Sequence, residues 1–344
     1  MGKKKVMVGM SGGVDSAVAA ALLQEQGYHV AGATMRLWPH AGDQQCADAR
    51  RICETLGIDF YVMDFQGLFR EKVVDYFVHA YMHARTPNPC VACNKYLKFG
   101  AFMEKARDLD MDYIATGHYA KIERADGLYR LRMSDAQNKD QSYFLYNLTQ
   151  EQLAHTLMPL GSYRKDQVRE LAKERGLAVA DKPDSMDICF VENGDYTSFI
   201  KEYAAYTPQE GDILDTDGNV IGRHRGLIYY TIGQRKGIGA YGKPMFVLGM
   251  DAERNTLTLG AVGMEFADTL LAADVHFISE IPLKEPLEVT AKVRYQARPE
   301  PAVLYPEGDF VRVAFNSPQR AVTPGQSVVF YDGDIVLGGG IVLK

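Results

Sequence analysis

The sequence has little of what would place it in a membrane, in a disulfide-stapled secreted scaffold or among strongly basic nucleic-acid binders. No apolar run approaches the length of a membrane-spanning helix, so no membrane partner is expected. Lys3-Lys4-Lys5 precedes an apolar stretch of only Val6 to Met10, too short for the core of a signal peptide. Met1-Gly2 is not followed by Ser or Thr at position 6, which argues against myristoylation. Five cysteines, Cys46, Cys53, Cys90, Cys93 and Cys189, are an odd number in a mid-sized chain. That argues against a disulfide framework and for a reducing, cytoplasmic setting, leaving reactive thiols, metal ligation or plain burial. A net charge of −6 gives no global sign of a nucleic-acid partner, so any such partner needs a locally basic surface. No internal repeat or low-complexity segment stands out. The 344 residues, 47% hydrophobic and 24% charged, suffice for two or three domains with sizeable cores.

The most informative stretch that is present runs from Lys5 to Ser16. Its apolar start reads as a strand, Ser11-Gly12-Gly13 as a tight turn, and Val14, Val18 and Leu22 as one face of a helix. Glycines let the backbone approach a ligand and adopt positive φ without strain. The unpaired N–H groups of the helix start, with the helix dipole, favour an anion. Ser11 and Ser16 add hydroxyl donors, and the acceptor-only Asp15 suits a Mg²⁺ accompanying a polyphosphate. This loop has no G-x-x-x-x-G-K-[ST] and no G-x-G-x-x-G, which disfavours a Walker loop and a nicotinamide dinucleotide fold. The string SGGVDS resembles the PP-loop of the ATP pyrophosphatase superfamily. The bland alternative is an ordinary glycine turn between strand and helix.

Residues 1 to about 120 alternate strand and helix. Strands are expected at His29–Met35, Phe60–Met63 and Tyr113–Thr116, and helices at Gln45–Leu56, Leu68–Ala84 and Asn94–Leu109, with Thr86-Pro87-Asn88-Pro89 as a loop. Repeated βαβ units imply an α/β fold with a doubly wound parallel sheet, whose ligands bind at the carboxyl ends of the strands. Between about 120 and 205 the pattern is mixed. Lys121 to Arg132 reads as a hairpin turning at Asp126-Gly127, and Arg164–Arg175 and Tyr196–Tyr203 read as helices. Beyond about 208, turn signals and short alternating runs predict a β-rich part, here Thr256–Leu259, Glu288–Tyr295, Phe310–Phe315 and Ser327–Phe330. The expected domains are 1–205, a PP-loop catalytic domain, 206–270, a small β-rich domain, and 271–344, a β-barrel-like domain.

Cys90-Val91-Ala92-Cys93 follows the rigid Pro87-Asn88-Pro89 and precedes a helix. A thiol at a helix start is expected to have a lowered pKa, with Lys95 and Lys98 helping. The pair could be a redox couple, half a zinc site, or a sulfur-transfer pair with Cys189 as a distant third thiol. No thioredoxin-like flanks and no second metal-binding pair accompany it. Cys46 and Cys53, seven apart on one helix face, read as partly buried packing residues.

SGGVDS at 11–16, TPNPCVACNKYLKF at 86–99, ATGHYA at 115–120, KDQSYFL at 139–145, DSMDICFV at 184–191, YYTIGQRKG at 229–237 and TPGQSVVFY at 323–331 occur together. In this combination, which covers essentially the whole chain, the sequence resembles the tRNA-specific 2-thiouridylases. The resemblance implies adenylation of O2 of the wobble uridine in tRNAs for Lys, Glu and Gln, followed by displacement of AMP by sulfur. It implies ATP contacts from Gly9, Met10, Ser11, Gly12, Gly13, Val14, Asp15, Ser16, Met35 and Gly117. It makes Cys93 the nucleophile and Cys189 the persulfide carrier, with sulfur from a cysteine desulfurase, directly or through a relay. Asn88, Pro89 and Cys90 would lie by the target base, and His118, Lys139, Asp140, Gln141, Arg294, Tyr295 and Gln326 would contact tRNA. One departure concerns Cys90, where many relatives carry Asp. With Cys90, Cys93 and Cys189 all present, a [4Fe–4S] cluster with inorganic sulfide on its open iron stands beside the persulfide route.

Residues 219–250 contain no Asp or Glu up to position 250 but carry Arg223, Arg225, Arg235, Lys236 and Lys243 with His224, Tyr229, Tyr230 and Tyr241. Lys292, Arg294 and Arg298 form a second basic run. Basic residues interleaved with aromatics suit phosphate contact and base stacking, and a solvated sheet face is the alternative. Two other functions compete. A different PP-loop ligase or amidotransferase would not need Cys90, Cys93 or Cys189. A non-catalytic Fe–S or zinc-dependent RNA-binding protein would not release pyrophosphate when tRNA is added.

Overall fold

A computed structural model of the chain describes residues 2–39, 43–182 and 188–343. Five strands form a parallel sheet: β1 (Lys5–Gly9), β2 (His29–Arg36), β3 (Asp59–Asp64), β4 (Tyr113–Ala115) and, after a hairpin of β5 (Ala120–Ala125) and β6 (Leu128–Met133), β7 (Thr156–Leu157). Their order is β3-β2-β1-β4-β7. The chain winds outward from β1 in one direction and then, after crossing over, in the other. The switch point therefore lies between β1 and β4, where the flanking loops diverge and leave a crevice.

β1 is buried on both faces, and its side chains alternate between two cores. Val6 and Val8 join Val14, Val18, Leu23, Leu160 and Val168 on one side, while Met7 joins Phe69, Phe77, Phe99 and Phe102 on the other. Burial of both faces explains why β1 reads as an apolar run rather than an alternating one. β7 is only two residues long and carries no periodic signal, so the fifth strand was not legible in the sequence.

The helix expected from Asn94 begins five residues earlier. Pro89 is its first residue, Asn88 caps it by accepting from Val91 N–H at 3.4 Å, and the helical path runs through a π-helical stretch, Asn94–Ala101, to Asp108. Proline is tolerated at a first helical position because its missing N–H would be unpaired there anyway. Cys90 and Cys93 thus lie inside the first turns.

The expected hairpin is present as β5 (Ala120–Ala125) and β6 (Leu128–Met133), turning at Asp126 and Gly127 with φ of 52° and 83°. A second sheet, β8 (Gly211–Leu214), β9 (Val220–His224), β10 (Met245–Asp251) and β11 (Thr256–Ala261), has the order β10-β11-β8-β9. The third comprises β12 (Phe266–Phe277), β13 (Leu287–Lys292), β14 (Glu300–Glu307), β15 (Phe310–Arg320), β16 (Ser327–Asp332) and β17 (Ile335–Val342). Pairing of β12 with β17 closes these six into a barrel around Leu270, Val289, Leu304, Val313 and Phe330. The junction expected near 270 falls inside β12. A turn at Gly263 (φ 95°) precedes that strand.

The barrel is not free of the parallel-sheet unit. β6 pairs with β17 through Leu131↔Val336 and Arg132↔Ile335, and Arg132 reaches both carboxylate oxygens of Asp334 at 3.0 and 3.1 Å. A hairpin of the first unit therefore extends the barrel sheet.

Candidate active site

The loop after β1 is held from several sides. Met10 N–H donates to Ala33 O at 2.8 Å and its carbonyl accepts from buried Thr34 Oγ1 at 2.9 Å, fixing the turn to β2. Ser16 Oγ accepts from Ser11 N–H at 3.2 Å and donates to Gly13 O at 3.1 Å, closing the loop on the helix Val14–Glu25. Gly12 has φ of 68° and approaches Gln45 O so closely that a Cβ there would meet it at 2.6 Å. From β4, Gly117 closes the crevice: a Cβ on it would lie 2.9 Å from the backbone carbon and Cβ of Asp15 and from Ser16 N. Met35, at the end of β2, lies beside Gly9. Gly9 to Ser16, Met35 and Gly117 are thus gathered at the carboxyl ends of β1, β2 and β4.

Asp15 is differently engaged from the expectation. Both its oxygens accept from Lys165 Nζ at 2.8 Å, and Oδ1 also accepts from Tyr119 Oη at 2.7 Å. Lys182 Nζ donates to Gly12 O at 2.9 Å and to Asp48 at 2.8 Å. Two lysines from the segment after β7 therefore tie down the loop, one on the Asp15 carboxylate and one on the Gly12 carbonyl. Sequence reading missed Lys165, Lys182, Asp48 and Tyr119. Lys165 opens the helix Lys165–Glu174, where a cation opposes the helix dipole, and that mismatch is the signal of an acid elsewhere. A lone carboxylate already neutralised by ammonium is a poor fit for Mg²⁺, so the metal expected at Asp15 is not supported by this arrangement.

The three thiols bear on one another electrostatically: Cys90 and Cys93 both act on Cys189, and Cys90 acts on Cys93. Cys93 is buried, while Cys90 and Cys189 are exposed as residues. Burial around its sulfur pushes the Cys189 thiol up to about 12, Cys93 and Cys90 push the same way, and Lys98 opposes them. Burial also raises Cys90 and Cys93, again against Lys98. The lowered thiol pKa expected at the helix start is therefore reversed: loss of hydration outweighs the helix end and the lysine. Phe190 fixes the chain beside Cys189 by packing against Phe69, Phe77 and Phe199 at 5.6, 5.3 and 5.3 Å between ring centres. Residues 184–187 of the preceding motif lie outside the described residues. Among the described residues no three His, Cys, Asp or Glu side chains form a metal-ligand group. Cys53 is buried with its thiol raised to about 11, and Cys46 is half-buried, as packing residues.

The residues expected on tRNA divide. Asn88 caps the thiol helix, Pro89 is buried at its start and Cys90 is exposed. Arg294 is exposed, donating to Arg320 O at 2.8 Å, and half-buried Tyr295 packs on Phe144 at 4.5 Å. Lys139 is half-buried. His118, by contrast, is buried, hydrogen-bonded to Thr116 Oγ1 at 2.8 Å, and its pKa is pushed well down by burial and then by Lys98. It is a neutral interior group in this structure. Asp140 is buried too and accepts from Ser134 N–H at 2.9 Å and Ser142 Oγ at 2.7 Å. Gln141 is tied to Tyr119 by two backbone-directed hydrogen bonds. Gln326 donates to Thr86 O and Pro87 O. In the basic run, His224 and Tyr230 are buried, so they are structural; Arg223, Arg225, Arg235, Lys236 and Lys243 are exposed, and Arg225 stacks on Tyr229 at 4.2 Å. Arg235, Tyr241 and Lys243 line a cavity of about 340 Å³.

A glycine loop between a buried parallel strand and a helix, faced by a second glycine loop across the switch point, defines a nucleotide-binding α/β domain of the PP-loop class. Family models agree in three parts: "tRNA methyl transferase HUP domain" over residues 4–193, "tRNA methyl transferase PRC-barrel domain" over 197–261 and "Aminomethyltransferase beta-barrel domain" over 267–342. The chain is 53% identical to the tRNA-specific 2-thiouridylase MnmA of Clostridioides difficile strain 630, across 99% of this chain and 98% of that protein. It is 54% identical to the protein of the same name from Acetivibrio thermocellus, across 99% and 100%, and 51% identical to that of Clostridium beijerinckii, across 99% of each. The chain belongs to the tRNA-specific 2-thiouridylase family. No helix among the described residues is long and apolar enough to cross a membrane.

Proposed function

We propose that the protein is a tRNA-uridine 2-sulfurtransferase that makes 2-thiouridine at the wobble position of tRNAs for Lys, Glu and Gln in the cytoplasm. The observation that carries this reading is three thiols on two separate chain segments that act on one another electrostatically, in a chain that also builds a PP-loop crevice. A ligase or amidotransferase of the same class has no use for them.

ATP is the first substrate. Loop amides and hydroxyls of Gly9 to Ser16 would bind its phosphates, with Met35 and Gly117 shaping the nucleotide crevice. Uridine O2 attacks the α-phosphorus and pyrophosphate leaves. This turns a poor leaving group into AMP. The terminal sulfur of a Cys189 persulfide then bonds to C2 as AMP departs. Cys93 thiolate attacks Cys189 Sγ, breaking the S–S bond, releasing 2-thiouridine and leaving a Cys93–Cys189 disulfide that a cellular dithiol reduces. The persulfide comes from a cysteine desulfurase or a relay protein. A Mg²⁺ would screen the polyphosphate, and no step is assigned to it at Asp15. The division into a catalytic unit, a small central sheet and a barrel belongs to the same reading, with the second junction near Gly263.

Incubation with ATP, Mg²⁺, unmodified tRNA and a persulfide donor, followed by nucleoside mass spectrometry, should yield 2-thiouridine. Pyrophosphate release without it would transfer the protein to another adenylating class. tRNA would lie across the exposed basic run. Arg235→Glu should weaken tRNA binding about tenfold and reduce the slope of log K against log[salt] by about 1, with ATP binding kept. An unchanged affinity in a filter-binding titration would remove Arg235 from the interface.

A further inference from the structure

The loop Thr323–Gln326, just before β16, meets the chain at the entry to the thiol helix. Thr86 N–H donates to Pro324 O at 2.9 Å, and Gln326 Nε2 donates to Thr86 O at 2.9 Å and to Pro87 O at 3.4 Å. Gly325, with φ of 92°, comes so close that a Cβ there would lie 3.0 Å from both Thr86 N and Thr86 O. Thr86 and Pro87 are followed directly by Asn88, which caps the helix bearing Cys90 and Cys93.

The barrel that presents this loop is anchored independently. β17 pairs with β6, Arg132 pairs with Asp334, and Ser327, next to Gln326, accepts from buried Tyr143 Oη at 2.8 Å through its carbonyl. A loop fixed to the barrel on one side and hydrogen-bonded to the thiol loop on the other transmits barrel position to the thiols. Prolines at 87 and 89 stiffen the short path between Thr86 and Cys90, because their φ is fixed.

We propose that Thr323–Gln326 is a clasp and that Gln326 is a positioning residue for the Cys90–Cys93 helix turn, acting through the carbonyls of Thr86 and Pro87. The C-terminal barrel thereby sets the geometry of the sulfur-transfer thiols. The proposal rests on the sulfur-transfer reading only for the role of the thiols, since the contact itself is independent of it.

The test uses the full-length protein without ATP or tRNA. Iodoacetamide labelling of Cys93 and Cys90 is followed by mass spectrometry in wild type, Gln326→Ala and Gln326→Glu. Glu keeps the length of the side chain but replaces the donor with an acceptor facing two carbonyls. Both variants should speed Cys93 labelling by roughly tenfold, the loss of two modest hydrogen bonds, while Cys53 labelling stays unchanged. Unchanged Cys53 labelling shows that the parallel-sheet core remains closed. Cys93 labelling at the wild-type rate in both variants would overturn the clasp, even if tRNA affinity fell. Failure of the wild-type protein to make 2-thiouridine would refute the function instead and leave the labelling result standing.

Discussion

In reductant-free buffer Cys93→Ser should abolish 2-thiouridine formation, by at least about 10³-fold, while tRNA-dependent pyrophosphate release persists as a single turnover per enzyme. Serine matches cysteine in shape, so the helix start and the adenylating crevice should persist. Its hydroxyl is not ionised near neutral pH and does not attack a disulfide sulfur. On the proposed route, the persulfide sulfur still bonds to C2 and AMP still leaves. The product then stays tethered to Cys189 through an S–S bond. A tRNA adduct should therefore accumulate on denaturing gels in reductant-free buffer and vanish on adding dithiothreitol. Cys189→Ser should block the step before, giving neither product nor adduct. Full activity of Cys93→Ser would remove it from the chemistry. The raised thiol pKa of Cys93 means that burial holds it neutral at rest.

The second large effect should come from a residue without a side chain. Gly117→Val is expected to lower tRNA-dependent pyrophosphate release about 100-fold, the scale of a misplacement of roughly 1 Å at a reacting group. Any Cβ at 117 meets Asp15 and Ser16 at 2.9 Å, and those contacts are backbone or Cβ atoms that cannot rotate away. The loop after β1 must therefore move, taking Asp15 away from Lys165 and Tyr119. Overpacking of this kind costs about 1–3 kcal/mol, which a chain of this size should survive folded. Gly67→Ala is the control, since no heavy atom lies within 4 Å of its added Cβ. Pyrophosphate release at the wild-type rate in Gly117→Val would separate this glycine from the nucleotide site.

The helical and strand spans of the first 120 residues were legible because their signals are local. β1 is a buried apolar run, and the helix Asp43–Leu56 and the strand Asp59–Asp64 follow their patterns to within a residue or two. Where local signals conflicted, the structure went the other way. Pro89 looked like a barrier to a helix and is its first residue, because Asn88 supplies the cap. His118 and Asp140 looked like ligand contacts and are interior groups, because a polar residue type carries no information about which side of a loop it faces. Cys90 and Cys93 looked activated by a helix end, and dehydration reversed the sign.

The sequence by itself determined the chemistry on offer: a glycine loop fit for polyphosphate, three thiols in two motifs and a basic, aromatic run. These follow from residue type and short spacing, which the chain carries regardless of its fold. Only the tertiary structure decided which groups meet. Lys165 is 150 residues from Asp15, and Gln326 is 240 residues from Thr86. Such pairs leave no periodicity in the sequence. They exist because the parallel sheet places the β7 side beside the β1 loop, and because the barrel is fastened to β6. The cations of the nucleotide crevice and the grip on the thiol helix are products of that packing.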